Sequence, residues 1–267
     1  MKAAYSEKIF FAPFLLIFSL TSCIQPIYYP NKIHTPMLDG QGKFYANLAA
    51  SGNSGWNGAI AYSPLNSFYI EAGGNIAPGI RQFQGDYKTS FFYGSAGLYK
   101  WVNPNLIIEG EVGFGRGMTE TYDILSTFVK NDSISNSGHS VDEYDHTNAA
   151  YNRWHIQGGI GFHLNLSDDS GSWKRLLFEA AVMPRLSFLN TTKYNVDHFD
   201  STKSYISSKT KSYTNTFLET TLTLRFGFEP LMLELQFGTS KIMGDPEYET
   251  IIPYDGLIVG LGLVSRF

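Results

Sequence analysis

The sequence predicts an all-β protein, an antiparallel up-and-down transmembrane β-barrel of about ten strands. Three observations predict it: the composition, a series of segments in which apolar and polar residues alternate, and an alternation of short and long connections between them. The 267 residues include 26 Gly, 17 Tyr and 20 Phe, but only 16% are charged. Glycine and aromatic residues in this proportion indicate β structure rather than a helical domain.

Charge and cysteine content limit the classes of partner and site. The net charge is −4 at pH 7 and the pI is about 5.9, so nothing indicates the basic surface that binds nucleic acid. Cys23 is the only cysteine, which excludes an intrachain disulfide and a cysteine-ligated metal site in this chain. We expect no nucleic-acid partner, no cofactor and no bound metal.

Residues 1–22 predict a lipoprotein signal peptide. Lys2 and Lys8 supply a positive region, and the apolar run that follows is too short to span a bilayer as a helix. The run ends in LTSC, residues 20–23, which resembles the bacterial lipobox. The resemblance implies a lipid thioether on Cys23, cleavage before it and acylation of the new amine. The alternative is an ordinary signal peptide followed by an incidental cysteine.

The remaining chain divides into a linker, residues 23–42 including the lipidated Cys23, and a barrel, residues 43–267. In the barrel region, apolar residues recur every second position. The clearest example is LMLELQF, in which Leu231, Leu233 and Leu235 share one face. This periodicity predicts ten strands, at about 43–51, 55–63, 67–76, 88–102, 105–119, 149–167, 174–190, 212–228, 231–241 and 254–267.

The connections between the predicted strands alternate in length. Those after strands two, four, six and eight are short, and the longest of the others form two loops, 120–148 and 190–211. Short turns alternating with long loops, with an even number of strands, are typical of outer-membrane barrels and place both barrel ends in the periplasm. A soluble lipocalin-like barrel is the alternative architecture. Several strands reach the 9–11 residues that cross a bilayer, which favours the membrane.

The chain stops on an apolar strand that ends in an aromatic residue. Gly262 and Phe267, with Leu261 and Leu263, resemble the β-signal that the barrel-assembly machinery reads, although Ser265 stands where that signal usually has an aromatic residue. Together with the lipobox, this resemblance implies the barrel-assembly and lipoprotein-sorting machinery as partners.

The polar faces of the predicted strands would line the lumen. A ten-stranded barrel is little wider than one whose interior side chains fill it, and unpaired buried charges cost several kcal/mol. We therefore expect charge-assisted pairs that close the lumen, rather than a selectivity filter. The expected charge network consists of Glu71, Glu109, Glu111, Arg153, Glu179, Arg185, Glu219, Arg225, Glu234 and Arg266.

The outer loops and lumen histidines suggest three further kinds of site. Asp197 and His198 resemble the Asp–His pair of omptin proteases, but that family's second acidic pair has only Asp86 as a counterpart here. His155 and His163 lack an evident serine partner for lipid-modifying chemistry. A divalent-cation site would use Asp142, Asp145 and His146. We expect instead that these acidic loops are solvated, with no catalytic residue.

The combined pattern resembles the small outer-membrane β-barrel lipoproteins of the Bacteroidota. Cys23, the linker IYYPNKIHTPML, the segment GQGKFYANLAASG and the closing LGLVSRF carry the resemblance. It implies a lipid-anchored, membrane-spanning protein in the outer membrane of a Gram-negative bacterium. Because CIQPIYYP lacks the acidic residues that follow the cysteine in surface-exported members, we expect the acyl chains in the periplasmic leaflet, beside the linker.

From this reasoning we expect a non-enzymatic membrane anchor that presents loops 120–148 and 190–211 to the exterior or to a partner protein. One alternative is a narrow channel for small solutes or ions. The others are an omptin-like hydrolase at the outer rim and a soluble lipocalin-like binding lipoprotein.

Overall fold

The computed structural model describes residues 27–52, 54–82, 85–129, 139–166, 176–200, 204–228, 230–244, 254 and 256–267. The expected signal peptide and Cys23 lie outside these residues. Side chains within strands are described except at 79–82, 85, 124–129 and 139–143. In the described part of the chain, no helix is long and apolar enough to cross a membrane.

Of the eleven strands in the described residues, ten form a closed antiparallel barrel, which confirms the predicted fold class. The strands follow one another around the ring in chain order, except that β9 takes the place next to β7, and β11 pairs with β1 to close it. The strands are β1 (Phe44–Ser51), β2 (Gly55–Leu65), β3 (Phe68–Gln82), β4 (Gly85–Asn103), β5 (Leu106–Val129), β6 (His139–Asn165), β7 (Leu176–Phe199), β8 (Tyr205–Thr210), β9 (Thr214–Phe228), β10 (Leu231–Ile242) and β11 (Leu257–Arg266).

The barrel carries its apolar side chains on the outside. In β9, for example, Leu218, Leu222 and Phe226 are 41–51% exposed, whereas Glu219 and Arg225 are at most 1% exposed. The alternation is therefore opposite to that of a soluble barrel, whose apolar residues point inward. An apolar outer wall around a polar interior suits a barrel that is surrounded by lipid, and the lipocalin-like alternative is wrong.

The two ends of the barrel differ. At one end, two-residue turns at 66–67 and 104–105 join β2 to β3 and β4 to β5, and β10 begins three residues after β9 ends. We call it the short-turn end. At the opposite, long-strand end, β5, β6 and β7 extend far beyond their neighbours, to lengths of 24, 27 and 24 residues. In outer-membrane barrels, short turns of this kind lie on the periplasmic side.

The expected loops 120–148 and 190–211 are largely strands. β5 and β6 stay paired as far as Val129 and His139, and β8 pairs with the end of β7 as a flap outside the closed ring. The prediction was wrong because it relied on an apolar face. Beyond the membrane both faces of a strand can be polar, since cross-strand hydrogen bonds still satisfy the backbone.

Candidate functional site

A stretch of extended chain fills the barrel lumen. Residues 27–38, which we call the plug, are buried throughout, and Tyr28 and Lys32 are 0% exposed. The plug contacts inward-facing side chains from all around the ring, among them Asn57 of β2, Gln157 of β6 and Gln236 of β10. The expectation that this segment is a linker against the periplasmic leaflet is therefore wrong for these residues.

Side chains of the barrel, rather than a neighbouring strand, satisfy the plug backbone. Gln236 binds both polar groups of Ile33: its Oε1 accepts from the amide at 3.0 Å and its Nε2 donates to the carbonyl at 2.6 Å. Gln157 Nε2 donates to the His34 carbonyl at 3.0 Å. Pro30 and Pro36 have no amide hydrogen and so need no donor partner. A buried strand without a ladder is stable only when its polar groups are paired in this way.

The plug runs from the long-strand end to the short-turn end. The Ile27 carbonyl accepts from Thr119 Oγ1 at 2.9 Å, thirteen residues along β5 from its start at the short-turn end. At the other end, the Leu38 carbonyl accepts from Trp101 Nε1 at 2.9 Å, two residues before β4 ends. The chain then leaves the lumen and turns back into β1, which begins at Phe44.

Two arginines hold glutamates of the predicted charge network. Arg225 donates from Nε to Glu234 Oε2 at 2.6 Å and from Nη1 to Glu179 Oε2 at 3.3 Å. Arg185 donates from Nε to Glu219 Oε2 at 2.6 Å. All five side chains are buried. Arg266, near the short-turn end, also pairs with Glu179 and donates from Nη1 to the plug carbonyl of Met37 at 2.9 Å.

The other members of the network are held by different groups from those we expected. Glu111 accepts hydrogen bonds from Tyr69 at 3.0 Å and faces His155 Nε2 at 3.1 Å, and Glu71 accepts from Tyr93. Glu109 is held by the plug, through Thr35 and the Met37 amide. Arg153 also turns to the plug, where Nη1 donates to Asn31 Oδ1 at 2.6 Å.

Lys32 brings a further cation into the lumen that sequence reasoning missed. Its ammonium pairs with Glu234 and lies 3.3 Å from Asn47 Oδ1. Alternation along strands cannot find such a residue, because the plug has no two-residue period. One signal was present: six of the twelve plug residues, IYYPNKIHTPML, are aliphatic, aromatic or Met, which is an unusual composition for a solvated linker.

Gly262 and Phe267 lie at the seam where the barrel closes. Phe267 exchanges two backbone hydrogen bonds of 3.0 Å with Phe44. A Cβ atom added at Gly262 would lie 2.6 Å from the Cβ of Ala49, so glycine allows β1 and β11 to approach. This gives Gly262 a packing role in the folded barrel.

A second group of polar residues lies at the long-strand end, beyond the plug. Asp123 of β5, Asp145 of β6 and His198 of β7 are cross-strand neighbours on the inner face, and we call them the outer-end cluster. His198 Nδ1 lies 2.5 Å from Asp145 Oδ1. Burial, together with the neighbouring charge of Asp145, raises the pKa of Asp123 to about 6.

The cluster differs from the sites that the sequence suggested. Asp197 pairs across the strands with His146 and points away from its neighbour His198. Asp145 and His146 likewise lie on opposite faces of β6, so the proposed cation site with Asp142 does not form from this pair. Among the described residues, no group of three acidic, His or Cys side chains is arranged to hold a metal.

The two histidines of the barrel wall that face the lumen, His155 and His163, contact glutamates. His155 faces Glu111, and His163 Nδ1 lies 2.9 Å from Glu179 Oε1. On the outer face of the extension, His146 Nε2 lies 3.0 Å from Glu120 Oε1. The Glu120 carboxylate accepts a hydrogen bond from Tyr122, which lowers its pKa.

Comparison with known proteins finds likeness in fold. No protein-family model and no curated protein matches the chain. LpxR from Salmonella typhimurium aligns with a TM-score of 0.38 and 9% identity, over 84% of this chain and 100% of that chain. The TodX deltaS2S3 mutant, a monoaromatic hydrocarbon channel, gives 0.33 and 9%, over 91% and 95%. OmpT, an outer membrane protein of Vibrio cholerae, gives 0.19 and 7%, over 87% and 100%.

These structures correct one expectation. We expected a protein that is not an enzyme, but LpxR is a lipid A deacylase of the outer membrane. Barrel architecture is therefore no ground for excluding catalysis. The identities and TM-scores carry no activity over to this chain. The chain has the fold of a closed, ten-stranded antiparallel β-barrel that resembles outer-membrane barrels.

Proposed function

We propose that the protein is an integral outer-membrane barrel, anchored in addition by lipid on Cys23, that is closed by its own plug and presents the long-strand end of β5–β8 at the cell surface. The observation that carries this proposal is the complete burial of residues 27–38 inside the ring. Because the described residues fill the lumen in this way, we place the working surface of the protein outside the membrane.

The polar contacts support a permanent plug rather than a loosely held one. Arg225 Nη2 donates to the Thr35 carbonyl at 2.6 Å, and Arg185 Nη2 donates to the Asn31 carbonyl at 3.0 Å. Removing the plug would leave these two arginines, and Glu109, with unpaired hydrogen-bonding capacity in a narrow lumen. That cost opposes opening, which disfavours the narrow-channel alternative.

Heat-modifiability and conductance test the proposal together. The unboiled protein from the outer-membrane fraction should run at a different apparent mass from the boiled protein, and its insertion into planar bilayers should give no channel steps. A variant in which residues 27–38 are replaced by an equal length of Gly and Ser should conduct, provided that it keeps the heat-dependent shift. Steady channel steps from the wild-type protein, or a wild-type band that does not shift, would overturn the proposal.

Hydrolysis at the outer-end cluster is a second candidate function, favoured by the 2.5 Å contact between His198 and Asp145. With Nδ1–H donating to Asp145, Nε2 carries the lone pair and could take a proton from an attacking water. Asp123, protonated up to a pH of about 6 because its pKa is raised, could return a proton to the leaving group.

Hydrolysis assays on peptide, ester and lipid substrates test this candidate. His198→Ala and Asp145→Asn should each abolish any activity of the wild-type protein, whereas His146→Ala, on the opposite face of the sheet, should retain it. Equal activity in all four proteins, or none in the wild type, rejects the outer-end cluster as an active site.

A further inference from the structure

We infer that the mature amino-terminal end leaves the barrel at the long-strand end, so that Cys23 and its lipid lie on the exterior side of the membrane and are tied to β1 by the plug. This inference rests on the proposed function for two things, the orientation of the barrel and the lipid on Cys23. It reverses the expectation that the lipid lies in the periplasmic leaflet.

The first step is that the plug spans the whole membrane. On β5, the plug contacts Thr119 through Ile27 and Glu109 through Thr35 and Met37. Ten residues of strand separate Thr119 from Glu109, about 33 Å at about 3.3 Å per residue. At a strand tilt of about 40° this is about 25 Å along the barrel axis, which equals the height of the apolar band of such barrels.

The second step is that the direction of the plug is fixed at both ends. Tyr28 donates to Glu219 Oε1 at 2.7 Å near the start of β9, and its ring packs against Phe217 with centroids 4.9 Å apart. Met37 and Leu38 bind Arg266 and Trp101 near the short turns. The lower-numbered end therefore points outward, and the higher-numbered end points to the periplasm.

The third step is the reach of the chain before Ile27. Cys23 is four residues away, and four extended residues span at most about 14 Å. The periplasmic end of the lumen is about 25 Å away along the axis. The route back is also filled, because Tyr151, Arg153 and Phe217 around the plug are at most 1% exposed. Cys23 cannot return to the periplasmic leaflet through the lumen.

The fourth step is an exit over the rim toward lipid. Among the described strands of the ring, the shortest are β1 and its two neighbours, β11 and β2, which have 8, 10 and 11 residues. There, the Lys32 amide donates to Asn57 Oδ1 at 3.2 Å, only two residues from the start of β2. The plug residues before Lys32 thus rise to the level of this low rim. A ten-stranded barrel has a radius of about 10 Å, which is within the reach of the four residues before Ile27.

Single thiols test the inference with little perturbation. A lipidated Cys23 has no free thiol, so Gln25→Cys gives the protein one reactive thiol before the plug. Gln41→Cys places the matched thiol after it, on an exposed residue at the short-turn end, and Ser208→Cys places one on exposed β8 at the long-strand end. Intact cells are treated with a membrane-impermeant maleimide, and the labelling is compared with that after the outer membrane is permeabilised.

We expect Gln25→Cys and Ser208→Cys to be labelled in intact cells, and Gln41→Cys only after permeabilisation. Labelling of Ser208→Cys but not of Gln25→Cys in intact cells would overturn the inference and leave the proposed function standing. If Ser208→Cys is protected and Gln41→Cys is labelled, the proposed orientation is wrong and the inference falls with it. Labelling of the denatured wild-type protein would show a free Cys23 thiol, which overturns the lipid part of both.

Discussion

Replacing Lys32 by methionine should loosen the plug by a calculable amount. The buried ammonium pairs with Glu234, which keeps a second partner, Arg225 Nε at 2.6 Å. Removing one partner of a buried ion pair costs about 3–5 kcal/mol. Because Arg225 still pairs with Glu234 after Lys32 is replaced, we expect a cost at the lower end of this range. A loss of about 3 kcal/mol multiplies the ratio of unseated to seated plug by roughly 150.

A double-mutant cycle in urea unfolding measures this coupling. The free energy of unfolding is measured for the wild type, Lys32→Met, Glu234→Gln and the double variant. Because the two side chains are in contact, the cost of the double variant should fall short of the sum of the single costs by at least about 1 kcal/mol. Lys43→Met is the matched control: this lysine is exposed, 3.7 Å from Asp39, and its loss should change the free energy by less than about 0.5 kcal/mol.

A free energy of unfolding of Lys32→Met equal to that of the wild type would refute the reasoning. So would costs that add to within about 0.5 kcal/mol, because additivity is the behaviour of sites that do not interact. Either result would mean that the plug is not held by the Lys32–Glu234 pair.

Three further predictions concern the outer end, the glycines and the lipid-facing wall. The pKa of Asp123 is raised from 3.8 to about 6, so the folded state binds this proton more tightly than the unfolded state does. The outer ends of β5–β7 should therefore lose stability as the pH rises from about 4 to about 6. Asp123→Asn should abolish this loss, measured by hydrogen exchange of the strand ends. Gly97→Ala would place a Cβ 2.2 Å from a tyrosine ring and should cost about 1–3 kcal/mol in urea unfolding, whereas Gly94→Ala, with its nearest atom at 3.9 Å, should be tolerated. Leu233→Arg on the lipid-facing wall should lower the free energy of unfolding by about 2–4 kcal/mol, whereas Ile206→Arg on exposed β8 should lower it by less than about 0.5 kcal/mol. Equal costs for the two glycine variants, or for the two arginine variants, would contradict the corresponding prediction.

The barrel could be predicted because lipid on one side and a polar lumen on the other impose a strict two-residue period. In β10, for example, the predicted and observed bounds differ by one residue: the pattern predicts 231–241, and the strand is Leu231–Ile242. Where the wall leaves the membrane, that constraint ends. The outer half of β5, up to Val129, was therefore predicted as a loop, although its backbone remains paired.

The candidate site was less predictable, since its partners come from distant parts of the sequence. Parity along the strands places Glu109 and Arg153 in the lumen, but it cannot say what each one binds. Their partners, Thr35 and Asn31, lie in a segment that has no period of its own and takes its hydrogen bonds from most of the ring. Only the three-dimensional arrangement shows that barrel and plug share one polar core.

That shared core also determines where function can be located. In a soluble protein, the packed interior is apolar and the polar surface is free to bind. In a membrane barrel, the apolar outer surface is covered by lipid. The lumen is packed with paired groups such as Arg185 and Glu219, whose side chains are 2% and 0% exposed. In the described residues, the plug and these paired groups fill the middle of the lumen. The exposed polar groups outside the membrane remain, and the partly buried His198 and Asp145 at the long-strand end lie among them. This is why we propose the extension of β5–β8, the longest part of the wall beyond the plug, as the place for chemistry or partner binding.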